Sequence, residues 1–244
     1  VYGMRIPLVL ITLLMVALIS LTEAWGNDRR EHIMVSGGPA LLAWEKLRFE
    51  ADQHDKFYFN FVRPVAWARI PRLKKLYGKD ASVTWLVYRP AYEKRQRESG
   101  KPLISWIESV VRKYPTVKLV WFSKSDDVIN YINRGQNRRK MKIGSIDFYL
   151  HSNKYCLMFD YSSEILGCSK AFLHQRDIKK IKRSAFAKGA QSKSWGCHTG
   201  ASMSGLWRKQ TGTKLWGAIG KTDYSDISLN GGIPSLSPRG RWAY

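Results

Sequence analysis

Short apolar segments that alternate with helix-like segments constrain the fold of this chain more than any other feature. Most of the apolar segments are β-branched or aromatic at consecutive positions, which is typical of strands buried on both faces. The predicted strands are His32–Ser36, Ser82–Tyr88, Val117–Phe122, Ser145–Leu150, Tyr155–Phe159, Ser192–Gly196 and Leu215–Ile219. Strands with this composition favour a mostly parallel sheet that is covered by helices.

The segments between the strands have helical patterns. Leu103, Ile107 and Val110 share one face of a predicted helix, and Ser125-Asp126-Asp127 supplies a cap and an acidic first turn for another. The predicted helices are Pro39–Ala51, Tyr58–Tyr77 with breaks at its prolines, Pro102–Lys113, Val128–Asn133, Leu173–Lys182 and Ala201–Gln210. Regular alternation of strand and helix predicts an α/β three-layer sandwich, with a mostly parallel sheet and helices on both faces.

We expect one such domain over residues 25–225, preceded by a signal peptide and followed by an irregular tail over residues 226–244. Residues 6–21 are apolar and uncharged, follow Met4-Arg5 and precede a small residue, Ala24. This pattern predicts a signal peptide over residues 1–24 and an exported protein, periplasmic or extracellular. The apolar run is shorter than the roughly 20 residues that a spanning helix needs, so cleavage is favoured. Without cleavage, the segment would anchor the protein in the membrane.

The net charge of +22, from 41 Lys and Arg against 19 Asp and Glu, favours anionic partners. In an exported protein these are an acidic cell-envelope polymer or anionic lipid. A generic solvated basic surface is the alternative. We do not expect a nucleic-acid partner, because no known nucleic-acid-binding motif is present. No Cys or His spacing suggests a metal, and no cofactor is predicted.

Three cysteines, Cys156, Cys168 and Cys197, leave at least one thiol without an intramolecular disulfide. A Cys156–Cys168 bond would close a short loop, but every pairing stays open at this level. Cys197 lies in the segment SWGCHTG at the end of a predicted strand, and His151 lies at the end of an earlier one. In open parallel sheets, catalytic groups gather at the carboxyl ends of strands.

A thiol becomes a nucleophile when an imidazole within hydrogen-bond distance takes its proton. His151 could meet Cys197 if the two strands are neighbours, whereas the adjacent His198 is poorly placed to face the thiol. Gly196 and Gly200 would allow a tight turn that presents amide hydrogens to an oxyanion. The alternative is structural, with Cys197 as a small apolar group in a strand-to-helix turn.

The order strand, His151, hairpin and helix, strand, Cys197 resembles the caspase-like cysteine peptidases, including the CHAT and gingipain groups, and a related uncharacterised bacterial extracellular domain family. The resemblance covers Ser82–Tyr224. It implies a caspase-like fold, a peptide or protein substrate, Cys197 as nucleophile and His151 as general base. It also places the Cys197 amide, beside Gly196, in the oxyanion hole. Ser152 departs from the family pattern, which has glycine after the histidine, and this puts a second oxyanion donor in doubt.

Asp160 and Asp223 are candidates for binding a basic substrate side chain, and each is equally compatible with a turn. A second function remains open on the same fold. A non-enzymatic module would use the basic surface to bind acidic polymer or an anionic surface.

Overall fold

A seven-stranded sheet forms the centre of the structure, a computed structural model that describes residues 29–40, 42, 59–161 and 170–244. The strands are β1 Arg30–Ser36, β2 Ser82–Tyr88, β3 Val117–Phe122, β4 Lys142–Tyr149, β5 His151–Ser152, β6 Cys156–Met158, β7 Phe172–His174, β8 Phe186–Ser194, β9 Lys214–Ile219, β10 Thr222–Asp223, β11 Ser235–Leu236 and β12 Arg241–Ala243. The central sheet has the order β12-β9-β8-β4-β1-β2-β3. Its strands pair in parallel except β12, which is antiparallel to β9.

Two smaller antiparallel sheets, β5-β6-β7 and β10-β11, accompany the central one. The helices are a π-helical turn Val65–Arg69 that continues into α1 Ile70–Tyr77, then α2 Arg89–Ser99, α3 Leu103–Arg112, α4 Ser125–Arg134 and α5 Met203–Thr211. Two 3₁₀ helices, Gln175–Lys180 and Arg183–Ala185, precede β8. The Asp127 carboxylate accepts the N–H groups of Ser123 and Lys124 at the start of α4, which confirms the predicted acidic first turn.

Two apolar clusters lie on opposite faces of the sheet. One joins β1, β4 and β8 to the buried sides of α4 and α5. The other joins β1 and β2 to α1, α3 and the segment before them. Strands β1 and β2 are buried at every position after the first, because helices cover both of their faces. The α/β class, the mostly parallel sheet and helices on both faces are therefore confirmed.

Two predictions fail near the carboxyl-terminal half. The predicted helix Leu173–Lys182 is wrong, because Phe172–His174 pairs with β6 and only a short 3₁₀ helix follows. The predicted irregular tail, residues 226–244, contains β11 and β12. Strand β12 forms the edge of the central sheet, where Trp242 pairs with Ala218 of β9. In both places pairing with a distant strand overrides the local sequence preference.

Some predictions lie outside the described residues: the signal peptide over residues 1–24, most of the helix Pro39–Ala51, and Cys168. Cys156 and Cys197 both have free thiols. Among the residues that the structure describes, no helix has the length and apolar composition needed to cross a membrane.

Candidate functional site

The ends of β4 and β8 lie side by side, as the predicted pairing of His151 and Cys197 requires. The two strands are parallel neighbours, and the Trp195 N–H donates to the Phe148 carbonyl just beyond their last pair. Past this point, the Ser152 hydroxyl donates to the Cys197 carbonyl at 2.6 Å. The two segments are thus joined directly by a hydrogen bond, whereas contact between the His151 ring and the Cys197 sulfur stays a prediction.

Both glycines of SWGCHTG are required by close packing. A Cβ at Gly196 would collide with the side chain of Ser152. A Cβ at Gly200 would lie 2.5 Å from the carbonyl oxygen of Gly217 in β9. The Cys197 turn therefore lies tightly between β5 and β9, and its backbone has little freedom to move.

The Cys197 thiol is partly exposed and lies against Thr222. Its sulfur accepts the Thr222 N–H at 3.4 Å and lies 3.5 Å from the Thr222 hydroxyl oxygen. That hydroxyl donates to the Trp195 carbonyl at 2.8 Å, which ties β10 to the turn. Within the described part of the chain, the Cys197 backbone N–H makes no hydrogen bond. This amide is a donor that a developing oxyanion can use.

An aromatic cluster connects the His151 ring to the cysteine turn. Phe61 packs edge to face against His151, with 4.8 Å between ring centroids, and against Tyr224 at 5.0 Å. Tyr161 lies 5.7 Å from the His151 ring. The Tyr224 hydroxyl donates to the Trp195 carbonyl at 2.9 Å. Burial, together with the negative charge that Tyr149 and Cys197 can carry, raises the pKa of Tyr224 well above its usual value. Tyr224 therefore stays neutral and keeps this hydrogen bond.

No local sequence pattern marks Phe61 and Tyr224 as neighbours of His151, so these contacts were not predicted. The neighbouring imidazole, His198, has a left-handed backbone with φ of 61° and is exposed. The backbone N–H of His198 donates to the Gly220 carbonyl and helps to form the turn.

Asp160 and Asp223 both hold neighbouring backbone. The buried Asp160 carboxylate accepts the N–H groups of Lys170 and Ala171 and the hydroxyl of Tyr88. The Asp223 carboxylate accepts both the N–H and the hydroxyl of Ser225. These contacts are those of turn and loop residues. A role for either carboxylate in binding a basic side chain stays a prediction.

A cavity of about 400 Å³ lies beside this site, on the face of the sheet that carries α1. Its floor comes from β4, β8 and β9, and its walls come from the π-helical turn, α1 and residues 232–234. The lining includes Arg69, Arg72, Asp147, Lys193, Trp195 and Trp216. This cavity was not predicted from the sequence. One sequence pattern could have indicated the cavity: Lys-x-Trp occurs at residues 193–195 and again at 214–216. This spacing places the Lys and the Trp of each pair on the same face of a strand.

In the described ranges, no cluster of His, Cys, Asp and Glu side chains could hold a metal ion. The chain matches no protein-family description, no curated protein and no solved structure.

Proposed function

We propose that the chain is a caspase-like cysteine hydrolase that acts on peptide or protein substrates. Cys197 is the nucleophile and His151 the general base. The observation that carries this proposal is the hydrogen bond from Ser152 to the Cys197 carbonyl, which joins the two strand ends. In support, the order β4, His151, small antiparallel sheet, β8, Cys197 keeps the strand order on which the resemblance rests, although two short 3₁₀ helices stand where a helix was expected before β8.

The chemistry follows from the groups at the two strand ends. His151 takes the thiol proton, and the Cys197 sulfur attacks a carbonyl carbon. Negative charge then develops on the carbonyl oxygen, and the Cys197 N–H, which has no acceptor among the described residues, stabilises it. The C–N bond of the substrate breaks as His151 returns the proton to the leaving amine, and water then hydrolyses the thioester to free the thiol and the acid. Ser152 is a positioning residue. Its hydroxyl holds the cysteine turn against β5, in place of the glycine of the family pattern.

Labelling with a peptide acyloxymethyl ketone, which alkylates an activated thiol, tests the proposal. Cys197→Ala abolishes labelling. His151→Gln slows it about 100-fold or more, because a positioned base contributes roughly 10²–10⁴. Cys156→Ala, which removes the other described free thiol, is the matched control and labels like the wild type. Equal labelling of Cys197→Ala and wild type would refute the proposal.

Removal of the Ser152 hydroxyl tests the positioning role. Ser152→Ala leaves the Cys197 carbonyl without its donor, so we expect a loss of about 1 kcal/mol in the free energy of unfolding. The labelling rate also falls, because the turn is held less firmly. Ser237→Ala removes an exposed hydroxyl that bonds to the Lys221 carbonyl and serves as the control. An unchanged labelling rate for Ser152→Ala would show that the hydrogen bond has no part in the reaction.

The second candidate is binding of an acidic envelope polymer or an anionic lipid surface without catalysis. The observation that favours it is the surplus of cationic side chains around the cavity, where Arg69, Arg72 and Lys193 face a single carboxylate. This function predicts binding that weakens steeply with salt and does not depend on Cys197.

A further inference from the structure

The cavity combines flat aromatic surfaces with fixed cations. Asp147, Lys193 and Trp216 occupy paired positions on β4, β8 and β9, so their side chains share one face of the sheet. The Lys193 ammonium lies 3.7 Å from the ring centroid of Trp195 and 3.9 Å from that of Trp242. These contacts hold the charge in place at the cavity floor.

The single carboxylate of the lining already has a partner. The Arg69 guanidinium donates to Asp147 at 2.7 Å and to the Ser145 hydroxyl at 3.0 Å. Lys193 and Arg72, by contrast, form no ion pair with any described residue. Among the described residues, two cations of the cavity therefore have no ion-pair partner.

The charged form of Lys193 is destabilised in this cavity, as its pKa shows. The pKa of Lys193 is lowered to about 8, mainly by burial; the charge of Asp147 raises it, and the charges of Arg72 and Arg69 lower it. A desolvated cation among other cations is stabilised by any anion that enters. The cavity therefore favours the binding of an anionic ligand.

We propose that this cavity binds one acidic sugar unit of a polyanionic glycan, with the sugar ring against Trp216 and its carboxylate between Lys193 and Arg72. The volume suits a single ring, since small-molecule sites begin at roughly 300 Å³. A carboxylate can accept two parallel hydrogen bonds from an arginine guanidinium. The inference deepens the second candidate function, on which it rests, and it is independent of Cys197.

Tryptophan fluorescence titration with trigalacturonate at low salt tests the inference. Lys193→Met and Arg72→Gln each weaken binding about tenfold or more, because each removes a charge-assisted contact. Lys188→Met is the matched control. It removes an exposed lysine from the same strand, β8, and leaves the affinity within about twofold. The methyl ester of trigalacturonate, which has the same rings without charge, binds at least tenfold more weakly than the acid.

Each negative result of this titration would refute a different part of the proposal. If the acid binds the cavity variants and the wild type equally, the cavity site is refuted while general polymer binding stands. If the ester binds as well as the acid, the assignment of an acidic ligand is wrong. If inorganic phosphate, an anionic lipid vesicle or a single-stranded oligonucleotide competes more strongly through Lys193, the ligand is a phosphate and not a sugar acid. If no polyanion binds at all, the second candidate function fails as well.

Discussion

The cysteine turn and the cationic cavity are neighbours on one strand end, yet they are built in opposite ways. Trp195 lines the cavity, and Cys197 begins the turn two residues later. The turn is made of glycines and small polar side chains that are held by close backbone contacts, such as Gly200 against Gly217. The cavity is lined by long side chains from separate segments, and its character comes from their charges more than from close backbone contacts.

This difference determines what each region tolerates. The turn has no space for even one added carbon at Gly196 or Gly200. The cavity has space, but it depends on the pairing of Arg69 with Asp147 and on the balance of charge around Lys193. We therefore expect the turn to respond to changes in volume and the cavity to respond to changes in charge.

The largest expected effect comes from Arg69→Met. It leaves the Asp147 carboxylate, whose side chain is 9% exposed, without its partner. Breaking a buried pair costs about 3–5 kcal/mol. Burial already raises the pKa of Asp147, and Arg69 opposes that rise, so the variant has a still higher pKa. The folded variant takes up a proton as the pH falls, and the loss of stability is therefore smaller at pH 5 than at pH 7.

Urea unfolding at both pH values measures this loss. Arg69→Met/Asp147→Leu is the matched control, since removal of both charges recovers most of the stability. A loss below about 1 kcal/mol at pH 7, or one that does not depend on pH, would show that the pair is not the electrostatic support of the cavity.

Gly200→Ala tests the steric limit of the turn and has the next largest effect. The added Cβ meets the Gly217 carbonyl, which is backbone and cannot rotate away. We expect a loss of about 1–3 kcal/mol in the free energy of unfolding, together with slower labelling of Cys197. In Gly205→Ala, within α5, the new Cβ meets no atom within 4 Å. This control gains up to about 1 kcal/mol from helix propensity. Equal effects of the two substitutions would contradict the packing argument.

The sequence predicted the strands that carry continuous apolar runs, but β8, Phe186–Ser194, was predicted only as Ser192–Gly196 because most of its residues are small or polar. Ser82–Tyr88 and Val117–Phe122 were predicted with their observed bounds. Helix α2, Arg89–Ser99, was missed because its charged residues conceal the pattern, although Tyr92 and Arg95 are buried in it. Helix α4 was recognised from its acidic first turn, but the predicted cap, Ser125, is the first residue of the helix, and Lys124 is the N-cap.

The candidate site was only partly predictable, because local patterns reveal strand ends but not contacts between distant segments. His151 and Cys197 follow strands, so local pattern placed them at strand ends, and the parallel pairing of β4 with β8 brings those ends together. The hydrogen bond of Ser152, the ring of Phe61 and the cavity all depend on segments far apart in the chain. Only the repeated Lys-x-Trp pattern pointed to the cavity. The pattern became interpretable once the register of β8 with β9 was known, since Lys193 pairs with Trp216.

The smallest expected effect is the titration of Lys193, which tests whether charge governs the cavity. Its pKa falls from 10.5 to about 8 on folding, so between these values the unfolded chain binds more protons than the folded protein. The charged lysine therefore destabilises the fold below about pH 8, and this penalty is relieved as the pH rises toward 10.5. Because the side chain is partly exposed, solvent screening limits the gain to less than about 1 kcal/mol. Urea unfolding of wild type and Lys193→Met from pH 7 to 10 measures it, since other titrating groups cancel in the difference. Wild-type stability rises relative to the variant across this range, and a flat difference would mean that Lys193 has an ordinary pKa and that the cavity is not prepared for an anion.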